Sequence, residues 1–104
     1  MPDFEFNEEL ELEDQEKQDT DEPPKYRVLL INDNYTTFDF VIEILVSIFN
    51  KNIADAVAIT TDVHKKGSGL CGTYAREIAE TKLEMVKQAG NEAGYPLRCL
   101  MEEE

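Results

Sequence analysis

The pattern of apolar and polar positions divides the chain into a featureless polar start and a strongly patterned remainder. Tyr26-Arg27-Val28-Leu29-Leu30-Ile31 is a short apolar, β-branched run, which predicts a buried strand. Asn32-Asp33-Asn34 ends it as a turn, because Asx side chains bond their own backbone and tolerate unusual dihedrals. Thr36 or Thr37 then caps a helix in which Phe38, Val41, Ile42, Leu45, Ile48 and Phe49 recur at helical spacing. Asn50-Lys51-Asn52 breaks that helix. A second helix is expected from Ile53 to Lys66 and is stopped by Gly67-Ser68-Gly69. Leu70–Tyr74 has the length of a strand. A third helix follows over Ala75–Ala89, with Gly90 as its expected stop, and Pro96–Met101 reads as a last strand. The order β-α-α-β-α-β predicts an α+β fold, a small three-stranded antiparallel sheet packed against three helices.

Charge sharpens the division. The formal net charge is −13 over 104 residues. Residues 1–22 hold 11 of the 23 acids and one of the ten bases, Lys17. The acidity therefore belongs to a tail, and the patterned part is nearly balanced. A segment this polar buries too little surface to offset its ordering entropy, so residues 1–23 are expected to be a disordered extension and residues 24–104 the folded domain. Phe4, Phe6, Leu10 and Leu12 are the exception within it, a short stretch suited to binding a partner. Pro23-Pro24 closes the tail as a stiff linker. So acidic a chain would be repelled by nucleic acid and by an anionic membrane surface, and neither is an expected partner. With no export signal and no membrane-spanning run, a cytoplasmic protein with reduced Cys71 and Cys99 is the expectation.

Enzyme chemistry has little to build on. The single histidine, His64, would have to serve Cys71 or Ser68, with Asp33 orienting it. Ser68 falls in a Gly-Ser-Gly turn, and Cys71 sits between Leu70 and Gly72 as an ordinary core residue would. One histidine and two distant cysteines lack metal-ligand spacing, and Gly67-Ser68-Gly69 is no phosphate loop. The remaining concentration of polarity, Asn32 to Thr37, reads from composition as turn and cap.

That same stretch carries a resemblance. Tyr26 to Val41, Val63-His64-Lys65-Lys66-Gly67, Cys71-Gly72, Glu77-Ile78-Ala79-Glu80-Thr81-Lys82 and Tyr95-Pro96-Leu97-Arg98-Cys99 together resemble ClpS, the adaptor family of the bacterial N-degron pathway. The resemblance spans about residues 24–104, with its motifs in order. It implies a monomeric, cofactor-free protein that is not an enzyme. Such a protein binds the free α-amino group and bulky first side chain (Leu, Phe, Tyr or Trp) of N-degron substrates. It delivers them to a ClpA-type AAA+ unfoldase of the ClpAP protease. Carried onto this chain, the resemblance places Asn32, Asp33 or Asn34, and His64 around the amine. It places Thr36, Phe38, Thr60, Val63 and Leu97 around the first side chain, counts Thr37 among the substrate-binding residues, and sets Glu77 and Lys82 against the unfoldase. The alternative within the family is a regulator of the unfoldase that no longer reads N-terminal residues.

The chemistry of the residues suits that assignment. An α-ammonium offers three donors and a positive charge, and Asn32, neutral His64 and Asp33 offer acceptors. A protonated His64 would lose its acceptor and repel the amine. Three positions depart from the family pattern. Asn34 stands where a second acid is usual, and Phe38 and Thr60 stand where methionines are common. A stiff ring opposite a small threonine reshapes the cavity that flexible thioethers would line.

Overall fold

A computed structural model describes residues 22–104. The acidic extension expected over residues 1–23 lies outside them, except for Glu22 and Pro23. The described part runs β1 (Lys25–Ile31), α1 (Phe38–Ser47), α2 (Ile53–Lys66), β2 (Ser68–Ala75), α3 (Arg76–Ala93) and β3 (Arg98–Glu103). The expected fold class is what the chain forms. One antiparallel sheet has the order β2-β1-β3, so the strand read as most apolar is the central one.

Strand alternation decides which face meets the helices. Val28 and Leu30 of β1 are fully buried and join Leu45, Ile44, Ala56, Val63, Ala79 and Val86 from the three helices in one core. The opposite face of the sheet carries Arg27, ion-paired to Glu102 at 2.7 Å, and a cross-strand row of Leu70, Leu29 and Leu100. Opposite Val28 and Leu29 the β1–β2 register slips, leaving Cys71 in a bulge whose side chain is wholly buried.

Helix ends follow the local chemistry. Thr37, rather than Thr36, caps α1: its side chain accepts the Phe40 N–H. Asn52 caps α2 in the same way through Asp55 N–H. Helix α1 stops at Ser47, just short of the predicted Phe49. Asn50 turns left-handed (φ 58°), and the Lys51 N–H returns to the Leu45 carbonyl at 3.0 Å.

Two glycine assignments change. Helix α3 does not end at Gly90 but runs through it to Ala93, where left-handed Gly94 is the cap. Gly90 is there because Tyr95 folds back: a Cβ at Gly90 would lie 3.1 Å from the Tyr95 carbonyl oxygen, while the Tyr95 N–H bonds the Gly90 carbonyl at 2.9 Å. Similarly, Ser68 and Gly69 are strand rather than turn, and only Gly67 (φ 92°) makes the stop. Gly69 is buried against α2, where a Cβ would lie 2.7 Å from Val63 Cγ2 and 3.0 Å from the Ile59 carbonyl oxygen.

Since β2 cannot retreat from α2 without breaking its ladder with β1, Gly69→Ala is expected to destabilise the domain by about 1–3 kcal/mol, as overpacked cores do. Chemical denaturation checks it. An unchanged midpoint would mean that α2 and β2 separate freely.

Candidate functional site

The site begins with how β1 ends. The Asn32 N–H donates to the Gly67 carbonyl at 2.9 Å, and Ile31 pairs with Ser68 just beyond. Gly67 in turn donates its own N–H to the Val63 carbonyl as the C-cap of α2. The last turn of α2, which bears Val63 and His64, is thereby fixed against the start of the Asn32 loop. Left-handed geometry at Gly67 makes this turn possible.

The loop is held from within. Asp33 Oδ1 accepts the N–H groups of Tyr35 (2.8 Å) and Thr36 (2.7 Å), and Oδ2 accepts the Thr36 hydroxyl at 2.7 Å. Burial works to raise the Asp33 pKa. The Thr36 hydroxyl, the two amides and the charge of Arg98 outweigh it and hold the carboxyl below its ordinary value. Asp33 is thus an anion whose oxygens already order the loop.

A small cavity opens beside this loop. Ile31, Asn32, Asp33, Thr36, Phe38, Val41, Thr60, Val63, His64 and Leu97 line it. Its volume of about 10 Å³ is the room of about one water. The Phe38 ring stands edge-on to the His64 ring, with centroids 5.6 Å apart and planes at 86°. Thr60 is fully buried, and its hydroxyl is satisfied by the Ala56 carbonyl at 2.7 Å, so it lines the cavity at no cost in unpaired polarity. Among the described residues, no protein hydrogen bond uses the Asn32 side-chain amide or the His64 imidazole. Two acceptors and one anion therefore sit at the edge of an apolar recess.

Most of the expected residues converge there. Asn32, Asp33, Thr36, Phe38, Thr60, Val63, His64 and Leu97 all do. Asn34 and Thr37 do not line it: Asn34 is exposed, and Thr37 is engaged as the α1 cap. Ile31 and Val41 are lining residues that the sequence offered only as members of a strand and a helical stripe. Their signal was adjacency, Ile31 beside Asn32 and Val41 one turn beyond Phe38.

Glu77 and Lys82 lie on α3, away from this cavity. Glu77 is exposed in the first turn. Lys82 is half-buried, its Nζ donating to the Ile48 carbonyl at 2.6 Å and lying 5.8 and 5.7 Å from the ring centroids of Phe49 and Tyr74. Its ammonium satisfies a carbonyl at the C-terminus of α1 and ties α3 to it.

The two cysteines are held as thiols away from this cavity. Cys71 is fully buried, and burial is the main cause that pushes its thiol up to about 12. Burial does the same to Cys99, also to about 12. Neither supplies thiolate near neutrality. Among the described residues, no group of three or more His, Cys, Asp or Glu is placed to hold a metal, and no helix is long and apolar enough to cross a membrane.

Residues 21–100 match the family model described as "ATP-dependent Clp protease adaptor protein ClpS". This chain belongs to the ClpS family. An ATP-dependent Clp protease adapter protein ClpS from Wolinella succinogenes is 48% identical over 82 residues, covering 79% of this chain and 80% of the relative. The ClpS of Syntrophus aciditrophicus is 49% identical over 98 residues, covering 94% and 90%. Among solved structures, Agrobacterium tumefaciens ClpS2 bound to L-phenylalaninamide matches with a TM-score of 0.77 and 35% identity, over 80% of this chain and all of that one. As a ClpS chain the protein is an adaptor of a Clp protease, and a Clp-type unfoldase is its implied partner.

The lowered Asp33 carboxyl has a consequence for stability. Its contribution is complete above the ordinary carboxylate pKa of about 3.9 and is lost as the pH falls through the lowered folded value. Asp33→Ala is expected to cost about 1 kcal/mol near neutrality, the usual worth of an Asx cap, and nothing in strong acid. Denaturation of both chains across the acid range measures this. A gap that persists unchanged at low pH would contradict the assigned role of the charge.

Proposed function

We propose that this ClpS chain holds the first residue of a polypeptide by its free α-amino group and its bulky apolar side chain, and delivers it to a ClpA-type unfoldase. The observation that carries the proposal is the pair of unspent acceptors, Asn32 and His64, beside anionic Asp33 at the edge of an apolar cavity. An α-ammonium is the complement of that set, since it has three donors, one positive charge and no acceptor. The ligand of the Agrobacterium relative, L-phenylalaninamide, has this chemistry: a free amine, a benzyl side chain and an amide where a chain would continue.

The apolar recess supplies the second point of recognition. Removing a Leu or Phe side chain from water contributes roughly 2–3 kcal/mol. Such a side chain is far larger than the cavity of about 10 Å³, so admitting it requires Phe38 and His64 to separate. Phe38 is 36% exposed and can swing outward without leaving a buried gap. Thr60, buried and rigidly bonded to α2, sets the floor. With Phe38 as the movable wall, first residues with a planar ring or an unbranched Cβ fit best, and β-branched ones meet the wall. The amine condition is equally selective, because acetylation removes the positive charge and leaves one N–H donor in place of three, so acceptors go unpaired at about 1–3 kcal/mol each.

The exposed start of α3, with Glu77, is the proposed contact for the unfoldase. Lys82 serves that surface from behind, by fixing α3 to the end of α1. With these substrates and this protease, the cytoplasm is the compartment in which the proposed adaptor would act.

Fluorescent peptides that differ only in their first residue test the reading. Peptides beginning with Leu, Phe, Tyr or Trp are expected to bind, and their N-acetyl forms to bind at least about tenfold more weakly. His64→Ala should weaken binding with the fold intact, because it removes an acceptor from the amine. Equal binding of free and acetylated peptides, or full affinity in His64→Ala, would overturn the proposal. Absence of binding to every peptide would favour a family member that only regulates the unfoldase.

A further inference from the structure

The outer edge of β3 borders a groove of about 470 Å³ whose other wall is α3, separate from the amine site except that Leu97 borders both. Among the described residues β3 pairs with β1 alone, so one side of its backbone is open. Which groups are open follows from the ladder. The Glu104 N–H bonds the Lys25 carbonyl at 2.8 Å, and successive residues of a strand turn their backbone groups to opposite sides. Arg98, Leu100, Glu102 and Glu104 therefore face β1, and Cys99, Met101 and Glu103 turn their N–H and C=O groups outward. An edge of this kind is a template for another strand.

The side chains along that edge complement themselves. Two antiparallel copies of β3, related by a two-fold axis at Leu100, set Cys99 opposite Met101 of the second copy and the reverse. Both residues carry outward backbone groups, so each such pair can exchange both of its N–H···O bonds. Their half-buried side chains, on the helix side of the sheet, then meet apolar to apolar. On the open side, Leu100 is 50% exposed and faces its own image, so the row Leu70-Leu29-Leu100 continues across the axis. Arg98 faces Glu102 of the second copy. Among the described residues Arg98 has no ion-pair partner, and Glu102 already meets Arg27 at 2.7 Å, so Glu102 would bridge two guanidinium groups. The α3 wall adds one acid and one base, Glu84 and Lys87. A slip of two residues either way sets Leu100 against Arg98 or against Glu102, so the side chains select this register.

We propose that the free edge of β3 is a self-association surface, on which two copies of this chain join edge to edge into one continuous antiparallel sheet. Self-pairing closes an edge that would otherwise pair with the polypeptides an adaptor carries. Both amine sites stay open, because Leu97 alone among the cavity's lining residues touches the groove. One short strand offers less surface than the about 800 Å² per partner of a standard interface, and two chains of net charge −13 repel, so the dimer is weak and reversible.

Sedimentation velocity of the full chain, from about 1 µM to about 1 mM, tests this. The sedimentation coefficient is expected to rise to that of a dimer and no further, because a two-fold contact closes on itself. Leu100→Glu sets two carboxylates against each other at the axis and should weaken association at least about tenfold. Arg98→Glu should weaken it too, and adding Glu102→Arg to that variant should restore it, a rescue that a folding defect would not give. Mild oxidation of Leu100→Cys should yield a disulfide-linked dimer, since Cα atoms at the axis lie about 4.5 Å apart. Glu102→Cys should not cross-link, because its image lies about 13 Å away. A chain that stays monomeric throughout would overturn the proposal, as would association that Leu100→Glu and Arg98→Glu leave intact, or equal cross-linking at both cysteine positions. So would slow hydrogen exchange of the Cys99 and Met101 amides in the dilute monomer, which makes the occupant the chain's own N-terminal segment. Protection that appears only with a Clp-type unfoldase would overturn it as well, making the edge a partner's.

Discussion

The hydrogen bond from Asn32 N–H to the Gly67 carbonyl is the constraint on which the site depends. It joins the end of the central strand to the end of α2, two places 35 residues apart in sequence. Without it, the Asn32–Thr37 loop and the last turn of α2 would have no fixed relation. Left-handed Gly67 lets α2 end and β2 begin within one residue, and pairing of Ser68 with Ile31 locks the result. His64 is therefore placed by backbone geometry, and its ring stays uncommitted by hydrogen bonds. A receptor for an amine needs that combination of a rigid frame and free acceptors, because an acceptor already satisfied inside the protein gains little from a ligand.

Polar groups around the recess divide their work accordingly. The Asp33 oxygens order the loop through three local bonds and leave the charge itself as a long-range contribution. The Thr60 and Thr37 hydroxyls are absorbed by backbone groups, one within α2 and one at the start of α1. Asn32 and His64 remain. Beside them Phe38 covers a cavity of about one water, so selectivity for a large first side chain resides in how that ring moves and in what Thr60 leaves behind it.

The fold was legible where local chemistry and pattern agreed. The apolar run of β1, the Thr cap, the Asn50-Lys51-Asn52 break, and the helical stripes of α1 and α2 placed those elements within one or two residues, and α2 came out at Ile53–Lys66 as expected. The misplacements share a cause. Gly90 and Gly69 looked like punctuation but are packing devices, there because Tyr95 and Val63 approach too closely for a Cβ. Nothing within a few residues of either reveals that neighbour. At the site, the polar members were suggested by turn chemistry and singled out by family resemblance. Ile31 and Val41 were hidden because an apolar residue facing a recess has the same spacing as one facing the core. Lys82 shows the converse, since its inward turn onto Ile48 cannot be read from a charge on a helix.

The central claim is that one recess reads amine and side chain together. Titration of the labelled protein with L-phenylalaninamide and with N-acetyl-L-phenylalaninamide, followed by NMR at the His64 ring and the Asn32 side-chain amide, tests it most directly. Saturable shifts of both groups are expected with the free amine, accompanied by Phe38 ring signals that report its displacement, and little change with the acetylated compound. Equal shifts with both compounds, or none at His64 and Asn32 with either, would contradict it.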